Sequence, residues 1–198
     1  MRELGKLKKV EPRTVWEHEA RDFTPWLRKN MDLLKEAVGI ELDLVETESP
    51  VGGYAVDLYA KDLTTGRWVI IENQLEKTDH SHMGQIMAYA AGKEAGVVIW
   101  ISPEFRDEHR QTLDWLNEIT DESVAFFGIE LEVLEIDTSP WAAHFKVVAQ
   151  PREWAEMPAP PGLTEGQQKY LIFFTNLLEK VKATYPDLTK AYKANPQN

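Results

Sequence analysis

Tyr54-Ala-Val-Asp-Leu-Tyr-Ala60, followed after a turn by Trp68-Val-Ile-Ile-Glu-Asn-Gln74, is the stretch on which the reading of this chain turns. The first segment alternates apolar and polar residues, as a strand with one buried face does. Val69-Ile-Ile71 is a continuous apolar run, as in a central strand buried on both faces. Asp62-Leu-Thr-Thr-Gly66 supplies turn residues between them. Upstream, Glu41-Leu-Asp-Leu-Val-Glu-Thr-Glu48 alternates more weakly, and Ser49-Pro-Val-Gly-Gly53 reads as the turn that joins it to Tyr54. The three segments read as an antiparallel meander. Asp57 on its second strand and Glu72 near the end of its third then fall near the same end of the sheet.

Working outward, Phe23 to Val38 reads as one helix. Thr24 is placed as N-cap, Pro25 at the first helical position, and Gly39 where a C-cap glycine belongs. After the meander, His82 to Gly92 has helical spacing, Gly96 to Ile101 is a buried strand, and Pro103 to Ile119 is a second strong helix. Val124 to Ile136 reads as one or two strands, so the order is α-β-β-β-α-β-α-β. Trp26, Trp100 and Trp115 sit on apolar faces and are expected in the core. Residues 1–150 form one α/β domain on this reading. Residues 151–163, with Pro151, Pro158, Pro160 and Pro161, form a linker. Residues 164–198 form a helical appendage whose apolar face over Gln167 to Ala183 needs a partner, or which opens a second domain.

The whole chain has 198 residues, enough for one domain with an appendage. It carries 22 Lys+Arg against 33 Asp+Glu, a formal charge of −11, which argues against coating nucleic acid by bulk positive charge. It has no cysteine, which removes disulfide scaffolds, thiolate zinc sites and cysteine nucleophiles. The charged N-terminus lacks the apolar run of a signal peptide, and the longest apolar stretches are strand-sized, so the chain reads as soluble and cytoplasmic. Lys6, Lys8, Lys9 and Arg13 are the one basic run, read as a solvated N-terminal segment. His80, His82 and His109 lack the ligand spacing of a zinc site and are read as surface or helix-capping residues.

The chemistry rests on Asp57, Glu72 and Gln74. Two carboxylates side by side repel each other unless they share a cation, so Asp57 and Glu72 suit a hard metal ion, Mg²⁺ or Mn²⁺. Strand alternation places Gln74 on the same face as Glu72, where an amide can orient a water or a phosphate oxygen. A charge at the end of the buried run Val69-Ile-Ile-Glu requires a partner.

The pattern Asp, turn, Glu-x-Gln at the end of an apolar strand, on an α-β-β-β-α-β frame, resembles the PD-(D/E)xK nuclease superfamily. Gln74 stands where the usual signature has Lys. Gln85-Ile-Met-Ala-Tyr89, on the helix after the third strand, is similar to the Gln-x-x-x-Tyr motif of the RecB-like branch. More locally, Trp16-x-x-Glu19-x-x-Asp22-Phe-Thr-Pro-Trp26, Ile71-Glu-Asn-Gln-Leu-Glu-Lys-Thr-Asp-His80 and Phe105-Arg-Asp-Glu-His109 resemble uncharacterised prokaryotic proteins. In those, this domain precedes a second one of unknown function.

The resemblance implies a restriction-endonuclease-like α/β fold, a mixed sheet flanked by helices, and metal-dependent hydrolysis of DNA in defence or repair. It implies Asp57 and Glu72 as Mg²⁺ ligands, Glu19 as an additional acidic ligand, and Gln74 as the residue positioning water or phosphate. Gln85 and Tyr89 would shape the substrate side. Gln74 cannot supply the charge of Lys, so Lys77 or Lys61 would reach in, or the metal would do more. The alternative is a nuclease-like domain without catalysis that binds nucleic acid or a protein. A third reading is an interaction module that dimerises through its last helix.

Overall fold

A computed structural model describes residues 4–120, 123–152 and 154. The elements are β1 (Leu7–Val10), α1 (Pro12–Val15), a π-helical turn (Glu19–Phe23), α2 (Thr24–Lys29), α3 (Met31–Val38), β2 (Leu42–Val51), β3 (Tyr54–Asp62) and β4 (Trp68–Asn73). They continue with α4 (His80–Gly92), β5 (Val97–Ser102), α5 (Asp107–Ile119), β6 (Ala125–Ile136) and β7 (Ala142–Ala149). The meander is antiparallel, with β3 paired to both β2 and β4. β4, β5 and β6 then run parallel, linked by α4 and α5. This seven-stranded mixed sheet with helices on both faces is the restriction-endonuclease-like α/β arrangement expected.

Each face of the sheet buries its own core, which is why β4 and β5 are apolar without a break. On one face Trp16, Phe23, Leu27 and Leu34 cover Leu58, Ile71, Ile99 and Phe127. On the other, Ile86 and Tyr89 of α4 and Leu113 and Leu116 of α5 cover Ile70, Val98, Trp100 and Phe126. Among the described residues no helix is long and apolar enough to cross a membrane.

Several expectations are corrected. The helix over 23–38 is broken at Asn30, whose backbone leaves the helical region (φ −119°, ψ 32°) while its side chain donates to the Trp26 carbonyl at 2.8 Å. A short amide that competes for backbone acceptors ends α2 in this way. Thr24 lies inside the helical region rather than capping it. Gly39 does close α3 in the left-handed conformation, φ 68°. The β2–β3 turn is confined to Gly52-Gly53, because β2 runs on through Val51. Helix α5 starts at Asp107, four residues after Pro103, and its Trp115 and Ile119 are exposed rather than in the core.

The basic N-terminal run is not a free segment. Lys8 and Lys9 lie in β1, which pairs with β6 from Leu7↔Ile136 to Val10↔Val133, and Lys9 bonds Glu132. β7, absent from the sequence reading, pairs the opposite side of β6. Residues 128–130 of β6 pair both β5 and β7, and 133–134 pair both β1 and β7, so β1 and β5 lie end to end along one side of β6. Trp154, in the stretch read as linker, packs its ring on Phe127 at 4.7 Å between centroids. The C-terminal helix read over Gln167 to Ala183 lies outside the described residues.

Gly39→Ala should cost about 1–2 kcal/mol, the penalty of a Cβ in the left-handed region. Urea unfolding measures it, and an unchanged midpoint would refute the cap.

Candidate functional site

β3 and β4 stop pairing at Leu58↔Ile71, so Asp57 and Glu72 are the next residues along, where the strands part. Side chains take over there from the backbone ladder. Asp57 Oδ2 accepts from the Asn73 backbone N–H at 2.9 Å and from Asn73 Nδ2 at 2.8 Å. The Asp57 backbone lies near the Glu72 carboxylate and favours its charged form. Asn73 is fully buried, and its Oδ1 accepts from the Thr24 hydroxyl at 3.1 Å. Glu72 is only 6% exposed, and its Oε2 is buried with no hydrogen-bond partner.

Burial makes both carboxylates expensive to ionise, and their neighbours add to it. Asp57 is pushed up to about 7, first by burial, against the Asn73 hydrogen bond, and further by the charges of Glu19 and Glu48. Glu72 is pushed up to about 9, first by burial and then by Asp57, with Glu19 and Glu48 adding to it. The protons of such a pair leave in steps that belong to both groups. Tyr89, buried on α4, is raised to about 12 by burial and then by the charges of Glu72 and Asp57. Its phenol is therefore protonated at neutral pH.

Glu19 reaches this site from the π-helical turn, an element that recurs at functional positions. One of its oxygens, Oε2, accepts from the Leu75 backbone N–H at 2.8 Å, just past Gln74. Glu48 was read only as the last residue of a strand. The register Thr47↔Leu58 and Ser49↔Val56 sets it opposite Asp57, so Glu48, Asp57 and Glu72 form a row across β2, β3 and β4. Glu48 also holds φ 53°, a conformation uncommon for a residue with a side chain. Neither feature has a signal in the sequence.

Gln74 is 1% exposed and both ends of its amide are engaged inside the protein. Nε2 donates to the Lys77 carbonyl at 2.8 Å and to Asp79 Oδ2 at 3.4 Å, and Oε1 accepts from Trp100 Nε1 at 2.8 Å. The Lys77 ammonium pairs with Glu104 at 2.7 Å, and that of Lys61 lies over the Trp68 ring at 4.9 Å. Gln85 is half-buried one turn before Tyr89 on α4. Asp79 caps α4, accepting from the His82 N–H at 3.0 Å and meeting His82 Nδ1 at 2.7 Å. His109 is buried rather than at the surface, with Nδ1 2.8 Å from the Thr78 hydroxyl and Nε2 3.2 Å from His80 Nδ1.

Among the described residues, no group of three or more His, Asp or Glu side chains is gathered so as to hold a metal ion. The Asp57–Glu72 pair is a smaller donor set. It fits Mg²⁺, which is commonly held by one or two carboxylates with water completing its shell. The unpartnered Oε2 of Glu72 is an acceptor with nothing else to meet, and the charges acting on the pair are carboxylates.

No family model and no curated protein matches the chain. Among solved structures, it is similar to a repair endonuclease from Pyrococcus abyssi at 17% identity and a TM-score of 0.43, over 50% of this chain and 44% of the other. It is similar to EndoMS in complex with double-stranded DNA at 17% identity and a TM-score of 0.41, over 55% and 43%. A protein of unknown function from Silicibacter pomeroyi matches at 15% identity and a TM-score of 0.28, over 81% and 94%. The chain spans under half the length of the first two.

The raised carboxyls give the metal-free protein a defined pH dependence. A carboxyl whose folded value lies above its ordinary one contributes stability that is fully present below the ordinary value, 3.8 for Asp57 and 4.5 for Glu72. That contribution is lost as pH rises through about 7 and about 9 respectively. Between pH 5 and 9 the melting temperature of the metal-free chain should therefore fall more steeply than that of Asp57→Asn/Glu72→Gln. Parallel curves would show that the pair is not strained by ionisation. Gln74→Lys should lower stability, by roughly the 1–3 kcal/mol lost when buried polar partners are left unmet. An unchanged unfolding midpoint would remove the locking role of Gln74.

Proposed function

We propose that this chain is a divalent-cation-dependent nuclease that hydrolyses the phosphodiester backbone of DNA. The observation that carries the reading is the buried, unpartnered Oε2 of Glu72 beside Asp57, on a restriction-endonuclease-like sheet. DNA as substrate follows from the resemblance of the Asp…Glu-x-Gln and Gln-x-x-x-Tyr patterns. Asp57 and Glu72 would hold Mg²⁺ or Mn²⁺, and Glu19, tied to the Leu75 N–H, adds negative charge beside them rather than a third ligand. When bound, the cation acidifies water and offsets negative charge on the phosphate. Tyr89 offers a protonated phenol on the wall of the site, and Gln85 an amide one turn away. Lys77 exchanges Glu104 for a phosphate at the rim. Gln74 acts from behind, holding the turn that precedes α4 against Trp100.

One observation favours a second reading, a nuclease-like domain that binds nucleic acid or a protein without cutting. The amide of Gln74 is spent inside the protein, and Lys77 and Lys61 are engaged with Glu104 and Trp68.

Incubation of single-stranded, duplex and branched DNA with the chain and Mg²⁺ or Mn²⁺ separates the two. Cleavage should be cation-dependent and drop at least about a hundred-fold in Asp57→Asn and in Glu72→Gln, as removal of several kcal/mol of charge stabilisation would produce. Cleavage that survives both substitutions would reject this site. No cleavage, together with no cation-linked rise in melting temperature, would favour the binding module.

A further inference from the structure

We propose that Asn73, braced by Thr24, is a positioning residue that sets the Asp57 carboxylate for the cation. The inference rests on the proposed cation site and names a residue pair outside it. Both hydrogen bonds from Asn73 end on one oxygen, Oδ2 of Asp57, at 2.9 and 2.8 Å. The other oxygen, Oδ1, is the one they leave for a ligand. Two donors converging on one carboxylate oxygen fix the plane of the group and leave it little rotation about its last bond.

The carboxamide must itself be held the right way round. The Thr24 hydroxyl does this, donating to Asn73 Oδ1 at 3.1 Å and so directing Nδ2 at Asp57. Thr24 is 4% exposed and Asn73 is fully buried, so no solvent competes for either bond. The relay runs from the first turn of α2 through the last residue of β4 to β3, and it spans the gap where the β3–β4 ladder has ended. A chain of neutral donors behind a carboxylate supports a cation ligand in the same way as the outer partners of metal-binding side chains elsewhere.

Mn²⁺ binding, followed by the loss of the free-ion electron paramagnetic resonance signal, tests the relay without reference to cleavage. The unmodified chain should bind Mn²⁺. Asn73→Ala should weaken binding about ten-fold or more, as loss of an outer partner does. Thr24→Val, which keeps the shape and removes the hydroxyl, should weaken it in the same direction, and Thr24→Ser should restore it. A purely structural role would lower the metal-free melting temperature in these variants and leave Mn²⁺ affinity as it was. Thr24→Val carries the test alone if Asn73→Ala does not fold. Unchanged affinity in the folded variants overturns the relay and leaves the cation site standing. No Mn²⁺ binding by the unmodified chain overturns both.

Discussion

Where the ladder between β3 and β4 ends at Leu58↔Ile71, the Asn73 N–H beyond it is met by the Asp57 carboxylate, which also takes the Asn73 carboxamide. The rest of the candidate site follows from that exchange. A strand pair that opened without it would leave buried N–H groups unmet, at a cost comparable to a lost hydrogen bond each. With it, the N–H of Asn73 is satisfied by the Asp57 carboxylate. The same exchange brings acidic groups together where Glu72 is buried and Asp57 half-buried. Stability and the proposed chemistry are in conflict at this point, as the two commonly are at functional sites.

The parts of the fold legible in the sequence are those where local pattern and tertiary environment agree. Val69-Ile-Ile and Val97-Val-Ile-Trp-Ile read as central strands because both faces are buried, and Gly39 reads as a cap because only a left-handed residue closes α3. β1 has four mostly exposed residues, two of them lysines, and has no pattern of its own until β6 supplies a partner. β7, Ala142–Ala149, alternates too weakly to stand apart from a loop. Within the site, Asp57 and Glu72 announce themselves as charges in apolar strands. The location of Gln74 depends on Trp100, which lies 26 residues away, and no spacing rule connects the two. Glu48 and Asn73 are visible only once the strand register is known.

The net charge of −11 looks unsuited to a polyanion partner, yet the charge is not evenly felt. Around the rim, cations and carboxylates are matched, as in Arg13 with Glu76 and Lys77 with Glu104. Exposed pairs of this kind are worth little and are readily exchanged. At the centre, the carboxylates acting on Asp57 and Glu72 have no such matching. On the proposed function, a divalent ion would change the sign of the field met by an approaching phosphate, and would do so locally, because burial limits screening by salt.

The pairing of β1 with β6 also bears on how the chain is made. Leu7 leaves the ribosome about 130 residues before its partner Ile136, which at typical synthesis rates is a delay on the order of ten seconds. Through that interval the segment that becomes β1 has no partner strand, and its sequence is Leu-Lys-Lys-Val. Lysines on an unpaired edge discourage association with the wrong strand. Lys8 and Lys9 can therefore act before the fold exists, keeping the N-terminal segment uncommitted until β6 emerges to receive it.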